Sequence, residues 1–340
     1  MRKESILTAF GKHLEMNNNQ FKKDIIDLFS KKRGGHVQKW LYSDHIREDK
    51  SSGSRLWHHF IKNNKKYYPI QREIELIPSF IDSEDHDYDT VIDFGLGDKQ
   101  AINHKILPIL ESQSKLKRYA AIDISANQLN AGMDIVQCQF KNIEIDLIKG
   151  DFYQKHKDIK GQKKLGLFFG STISNQEMMV GEKLPEKEII ERIKILSKTT
   201  LGEEGSGTLV ISLDTNPALQ ESLNAYQHQS WVLMMTGLMH DVQDILHPTG
   251  NFNPTLWHYA PIIDKKNYVL QQVITPTVDQ TFIIDEHEFS LKKGEQFVVK
   301  NNFKFPLDLF KEMIKKAKLK ERKAPTILKN NPIVMIKMSI

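Results

Sequence analysis

Apolar residues between positions 90 and 215 come in short runs, with longer stretches of mixed polarity between them. Five runs are predicted as strands, at residues 90–94, 119–124, 143–148, 165–169 and 207–213. The stretches between them predict helices at about 100–112, 126–140 and 185–197. Strands that are apolar throughout and alternate with helices are typical of a parallel sheet covered on both faces. This part of the chain therefore predicts an α/β fold.

The pattern is different on either side of this region. Residues 1–85 are polar and mainly helical in their spacing, and the short charged segment at 82–87 is interpreted as a linker. Residues 217–246 predict a helix, and apolar segments between 257 and 305 predict strands. A helix at about 307–320 and a strand at 332–338 complete the chain.

These changes of pattern predict two domains. The larger comprises residues 73–215 together with 305–340, and carries the parallel sheet. The smaller is an α+β domain made of residues 1–72 and 216–304, which we expect to close over one edge of that sheet and bind the substrate.

Composition narrows the class of protein. The 340 residues are 39% apolar and 27% charged, with a net charge of only +5, which gives no indication of a nucleic-acid partner. Cys138 is the single cysteine, so neither an internal disulfide nor a cysteine metal cluster is expected, and no metal site is predicted. No apolar run is long enough to span a membrane. We expect a cytoplasmic monomer that acts on small molecules.

A glycine-containing turn follows the first predicted strand, with the sequence D-F-G-L-G at residues 93–97. Glycines at this point let the backbone approach a ligand closely, although many turns between a strand and a helix carry two glycines. The third glycine of a dinucleotide fingerprint is absent, because position 100 is Gln. Gly95, Gly97 and the nearby Lys99 are predicted cofactor contacts.

Acidic residues follow the next two strands. Asp123 would accept hydrogen bonds from both ribose hydroxyls of a nucleoside, and Asp151 from an adenine amino group that Phe152 covers. Each acid alone is equally typical of a helix cap or a turn. On three successive strand ends, the glycine turn and the two acids favour adenosine, and the missing third glycine favours S-adenosylmethionine over a dinucleotide.

The fourth predicted strand leads into G-S-T-I-S-N at residues 170–175. This segment resembles the G-S-T-I-G-N motif of the histidine Nα-methyltransferases of ergothioneine biosynthesis. The G-S-R-L-W segment at 53–57, Y-Y-P at 67–69 and A-Y at 225–226 are similar to other motifs of that family, in the same order. The resemblance covers roughly residues 40–305.

The resemblance implies a Rossmann-like class I S-adenosylmethionine-dependent methyltransferase. Tyr67, Gly170, Asn175 and Tyr226 would hold the amino and carboxylate groups of an amino acid. Tyr67, Asn175 and Tyr226 would be catalytic by orienting the amine, and no general base is identified.

One strand departs from the family. Its imidazole-binding Glu and Ser correspond to Lys300 and Asn302, which we predict to bind a different, acceptor-bearing or acidic side chain. A register error of one residue, or a Lys300 ammonium that reaches solvent, would remove this prediction. The nearest candidate for an early family tyrosine is Tyr42, which lies further ahead of Gly53 than the family's spacing would place it.

The sequence therefore predicts an S-adenosylmethionine-dependent N-methyltransferase that acts on the α-amino group of an amino acid or a related small amine. The alternatives are a protein of the same fold that binds S-adenosylmethionine but has lost or changed its activity, and a nucleotide-dependent oxidoreductase.

Overall fold

The computed structural model describes residues 18–31, 37–154, 156, 159–202 and 206–340. The helices are α1 (18–29), α2 (Gly53–Asn63), α3 (Pro69–Asp82), α4 (Lys99–Ala101, a π-helical Ile102–Ile106 and Leu107–Glu111), α5 (Ala126–Gln139), α6 (Glu186–Leu201), α7 (Leu219–Ala225), α8 (Gln229–Leu246) and α9 (Leu307–Lys316). Short 3-10 turns cover Val37–Tyr42 and Thr172–Ser174.

The strands belong to one large and two small sheets. They are β1 (Thr90–Phe94), β2 (Arg118–Asp123), β3 (Glu144–Lys149), β4 (Lys164–Phe168), β5 (Gly207–Asp214), β6 (Thr249–Gly250), β7 (Trp257–Tyr259), β8 (Ile262–Asp264), β9 (Val269–Pro276), β10 (Gln280–Ile284), β11 (His287–Leu291), β12 (Phe297–Phe303), β13 (Lys320–Glu321) and β14 (Ile333–Ser339).

The large sheet has the strand order β13-β14-β5-β4-β1-β2-β3. Its central five strands run parallel, and β14 is inserted antiparallel between β5 and β13. Strand order reverses beside β1, so the ends of β1 and β4 diverge and leave a crevice at the carboxyl edge of the sheet. This confirms the α/β, Rossmann-like fold predicted from the sequence.

Two apolar clusters cover the two faces of this sheet. One is formed with α6 and α9, and includes Ile189, Ile193 and Phe310. The other is formed with α3 and α4, and includes Leu76 and Ile109. Burial on both faces explains why β1, β2, β4 and β5 are mostly apolar along their length. The edge strand β3 is only partly buried, and polar and apolar residues are mixed along it.

A third cluster lies outside the large sheet. It joins α1, α2 and α8 to the two small sheets, β12-β9-β7 and β11-β10-β6, and includes Phe60, Trp231 and Leu270. Together these elements form an α+β layer over the carboxyl edge of the large sheet. None of the helices in the described ranges is long and apolar enough to cross a membrane.

The predicted linker at 82–87 is wrong. Glu84 is buried and accepts a hydrogen bond from the Tyr88 hydroxyl at 2.8 Å. Asp85 forms ion pairs with Lys163 at 3.0 Å and with Arg322 at 2.5 Å. The acidic run therefore packs because the chain supplies cations on two other segments of the same sheet.

The single helix predicted at 217–246 is two helices, α7 and α8. The chain turns between them at Tyr226, and the ring nitrogen of His228 caps α8 by accepting from the Ser230 backbone N–H at 3.3 Å. This break directs the Tyr226 ring into the interior, where it packs 4.5 Å from Trp231. The last predicted helix also ends early, at Lys316, because Lys318 adopts a left-handed backbone conformation.

Candidate active site

A cavity lies between the carboxyl edge of the large sheet and the α+β layer. Its lining includes the predicted site residues Tyr67, Gly95, Gly97, Asp123, Asp151, Phe152, Gly170, Asn175, Tyr226, Lys300 and Asn302. Residues that are more than two hundred positions apart in the chain therefore share one chamber. Lys99 is different, because it lies outside this lining with its side chain exposed.

The turn after β1 forms one end of the cavity. Gly95 and Gly97 have φ of +86° and +71°, a left-handed conformation that side chains rarely adopt. The Gly95 backbone N–H donates to the carbonyl of Ile122 at 2.9 Å. Asp98 then starts α4 by accepting from the Ala101 backbone N–H at 2.9 Å. The turn therefore presents backbone rather than side chains to a ligand.

Asp123 lies at the end of β2, next to this turn. One carboxylate oxygen accepts from the Ser125 backbone N–H at 2.8 Å, while Ser125 also caps α5. Burial raises the pKa of Asp123 to about 6, an effect to which the nearby Asp44 adds. The carboxylate is thus fixed in place and mostly ionised at neutral pH, as an acceptor for two hydroxyls must be.

Asp93, at the end of β1, is a second buried acid in the lining. It accepts a hydrogen bond from the Tyr119 hydroxyl at 2.9 Å, and burial raises its pKa to about 7. The sequence contained this acid in D-F-G-L-G, but a position inside a strand gave no indication that its side chain borders a cavity.

The turn after β3 completes this end of the cavity. One Asp151 oxygen accepts from the Tyr153 backbone N–H at 2.9 Å. The Phe152 ring packs 5.1 Å from the Phe168 ring and near Gly95, where an added Cβ would lie 3.7 Å from the Phe152 ring. An apolar ring beside a carboxylate suits a flat base with an exocyclic amino group.

The opposite end of the cavity is aromatic. The Tyr67 ring lies 5.7 Å from Trp57 and 5.8 Å from Tyr226, and the Tyr42 ring lies 5.5 Å from Trp57. Burial raises the pKa of Tyr67 and of Tyr226 well above the usual range. The neighbouring Tyr42 raises the pKa of Tyr67 further, and Tyr67 does the same to Tyr226. Both hydroxyls therefore stay protonated, so they can donate a hydrogen bond to a ligand but are poorly suited to remove its proton.

Asn175 is held by side chains from other segments. Its side-chain oxygen accepts from the Asn302 amide at 3.0 Å, and Asn302 in turn accepts from Gln272 at 2.7 Å. Gln272 accepts from the Trp231 indole N–H at 3.1 Å. Gln38 donates to the backbone carbonyl of Asn175. Among the described residues, nothing accepts from the Asn175 amide N–H groups, which remain available as donors.

The turn at Gly170 is positioned by a buried acid. Glu73 accepts from the Gly170 backbone N–H at 2.7 Å and pairs with Lys105 at 2.5 Å. Gly170 and Ser171 both have positive φ, so the chain turns sharply here and exposes backbone to the cavity. Glu73 therefore holds this turn in place from below the cavity.

A buried pair at the end of β5 was not among the predicted site residues. Asp214 accepts hydrogen bonds from the Tyr68 hydroxyl at 2.7 Å and from the Lys304 ammonium. Asp214 and Lys304 both line the cavity. An acid at the carboxyl end of the fifth strand was the available signal, and it is the same signal that indicated Asp123.

The strand order, the glycine turn and the acids on successive strand ends together define the class I S-adenosylmethionine-dependent methyltransferases. The chain belongs to the family described as histidine-specific, S-adenosylmethionine-dependent methyltransferases, whose model matches residues 21–331. This confirms the resemblance found in the G-S-T-I-S-N segment.

Sequence identity to an individual member of known activity is low. The chain is 27% identical over 157 residues to histidine N-alpha-methyltransferase of Mycobacterium tuberculosis, a match that covers 45% of this chain and 46% of that enzyme, so it spans about half of the relative.

Two solved structures also resemble the chain. A methyltransferase from Clostridium acetobutylicum is 10% identical, covering 84% of this chain and 98% of its own, with a TM-score of 0.43. Magnesium protoporphyrin IX methyltransferase from Synechocystis is 10% identical, covering 89% and 99%, with a TM-score of 0.43. These values are too low to inform the site.

Proposed function

We propose that this chain is an N-methyltransferase that uses S-adenosylmethionine to methylate the α-amino group of an amino acid. The main support is that one cavity is lined both by the glycine turn with Asp123 and by the predicted substrate contacts, Tyr67, Gly170, Asn175 and Tyr226. One chamber thus contains a place for a nucleoside and a second place for an amine.

The cofactor end fits S-adenosylmethionine by the chemistry of its donors and acceptors. Asp123 would accept from the ribose hydroxyls, Asp151 from the adenine amino group, and Phe152 would cover the ring. Gly95 and Gly97 would admit the amino-acid part of the molecule along the exposed backbone, with the Asp93 carboxylate close to its positive charges. When bound, S-adenosylmethionine supplies an electrophilic methyl group.

The substrate end would hold an amino acid by its backbone groups. The side-chain N–H groups of Asn175 would bind the carboxylate. The Gly170 N–H already donates to Glu73, so the Gly170 carbonyl would accept from the amine, which the Tyr67 and Tyr226 hydroxyls would orient. The amine must lose its proton to become a nucleophile, and burial among aromatic rings favours the neutral form. Fixed orientation and exclusion of water are the main contributions to rate that such a site makes.

We further propose that residues 73–215 with 305–340 act as the cofactor domain, and residues 1–72 with 216–304 as the substrate domain. The three apolar clusters support this division, since two belong to the large sheet and one to the layer above it.

The test is turnover with a panel of amino acids. The purified protein, S-adenosylmethionine and each amino acid are incubated, and S-adenosylhomocysteine and methylated product are measured by mass spectrometry. We expect methyl groups on the α-nitrogen, located by fragmentation. Tight S-adenosylmethionine binding without turnover on any amino acid would instead favour the binding protein of the same fold.

A further inference from the structure

Lys300 is unlike the other buried lysines of this protein. Lys105, Lys304 and Lys337 are each at most 5% exposed, and each lies beside a carboxylate, namely Glu73, Asp214 and Glu84. Lys300 is 3% exposed, yet no hydrogen bond or ion pair within the described residues engages its ammonium. The ammonium lies 5.3 Å from the centroid of the Tyr42 ring.

The register of β12 decides which way Lys300 points. A bulge between Val298 and Lys300 sets the pairing with β9, opposite Gln272. Lys300 and Asn302 consequently line the cavity. Asn301, between them, turns the other way and donates to the backbone carbonyl of Met178 at 3.1 Å. The alternative of an ammonium in solvent is contradicted, because Lys300 is buried in the cavity lining.

Asn302 does not compete with Lys300 for a ligand. Its amide N–H donates to Asn175 and its oxygen accepts from Gln272, so its role is to position Asn175. Lys300 is a buried cation of the cavity lining that has no partner among the described residues.

The acids of the cavity lining lie at its sheet end, where Lys105 and Lys304 pair with Glu73 and Asp214. The acidic lining residues, Asp93, Asp98, Asp123, Asp151 and Asp214, all follow or end strands of the large sheet. Beside Lys300 the lining contributes the Tyr42 ring, which packs against Trp57. The lining also includes Lys39, which pairs with Asp24 at 3.2 Å. Burial accordingly lowers the pKa of Lys300 to about 7. A buried cation without a partner is unfavourable, and an incoming acceptor removes that penalty.

We propose that Lys300 selects an amino-acid substrate whose side chain ends in a hydrogen-bond acceptor, with a carboxylate preferred over a carboxamide and a cationic side chain rejected. This inference rests on the proposed function. An acidic side chain restores to Lys300 the pairing that the three other buried lysines have, and the aromatic walls strengthen that pair by excluding water.

The experiment compares glutamate, aspartate, glutamine, histidine and arginine as competing substrates. We expect kcat/KM for the best acidic substrate to exceed that for histidine roughly 10- to 100-fold, the scale of one hydrogen bond to a charged group. Lys300→Met should abolish that preference, and Lys300→Glu should reverse it toward cationic side chains. Lys293→Met, at an exposed lysine in the turn before β12, is the matched control and should leave the preference unchanged.

Equilibrium binding of each amino acid to the protein is measured in parallel, with S-adenosylmethionine titration to show that each variant is folded. Histidine favoured by the unmodified protein, or an acidic preference that survives in Lys300→Met, would overturn the inference. Absence of all turnover contradicts the proposed function alone, since the order of binding affinities still tests Lys300.

Discussion

The two ends of the cavity are built in different ways. At the cofactor end, Gly95, Asp123 and Asp151 lie at the ends of three neighbouring strands of one sheet. Each is fixed by a hydrogen bond with backbone of the same sheet edge. At the substrate end, Asn175 depends on side chains from β12 and from the 3-10 turn at Val37–Tyr42. The first end is therefore a property of the sheet, whereas the second exists only when distant segments pack together.

This difference predicts that damage at the substrate end should abolish catalysis while sparing the cofactor. Asn175→Ala removes the amide that we propose as a clamp, and a small misplacement of the amine is expected to lower kcat/KM about 100-fold. The affinity for S-adenosylmethionine, measured by titration calorimetry, should change by less than about threefold, since Asp123 is held independently. An equal loss of both quantities would show that Asn175 supports the fold rather than the substrate.

The opposite result is expected at the cofactor end. Asp123→Ala removes a charged acceptor of two hydroxyls and should weaken S-adenosylmethionine binding by about 1.5–3 kcal/mol. Asp134→Ala, at an exposed acid on the neighbouring helix α5, is the control of equal charge change. Should both variants bind the cofactor as the unmodified protein does, the ribose assignment fails.

The same contrast explains what the sequence predicts well. The five parallel strands, the glycine turn and Asp123 follow from apolar runs and from the rule that ligands lie at carboxyl strand ends. Asp214 obeys this rule as well. It was missed because the nucleoside site was predicted from the ends of the first three strands, and Asp214 ends the fifth.

The substrate end could not be derived in this way. Gln38 lies in no motif, and its contact with Asn175 spans 137 positions. The break of the helix at Tyr226 depends on the cavity that the Tyr226 ring enters, and periodicity does not report that cavity. The packing of Glu84 and Asp85 likewise depends on cations more than seventy residues away. Contacts between side chains far apart in the sequence leave no local pattern, and the substrate end of the cavity is formed by such contacts.

The pH dependence of S-adenosylmethionine binding is a further test of the cofactor end, with a smaller expected effect. Because burial raises the pKa of Asp123 to about 6, its carboxylate is ionised at pH 7.5 and largely protonated at pH 5.5. A protonated acid loses acceptor capacity, so S-adenosylmethionine affinity should fall as pH decreases through 6, by roughly fourfold at pH 5.5.

Asp93 has a pKa of about 7 in the same cavity and titrates over a neighbouring range. The variant Asp123→Asn separates the two titrations, because it removes that of Asp123 and retains that of Asp93. The pH profile of this variant should lack the step near 6. An unchanged step would assign the titration to another group.

The smallest effect is expected at Lys99, which the sequence placed beside the cofactor and the structure places outside the cavity lining. Its exposed ammonium lies at the start of α4, where a cation is slightly unfavourable to the helix dipole. Lys99→Ala should therefore change the dissociation constant of S-adenosylmethionine by less than about twofold, as exposed charges contribute little through solvent. Calorimetry at low and high salt checks this, since any residual electrostatic contribution must shrink as salt is added. A loss of tenfold or more at both salt concentrations would mean that the Lys99 side chain folds back onto the ligand, and that the glycine turn does not bind the cofactor through its backbone alone.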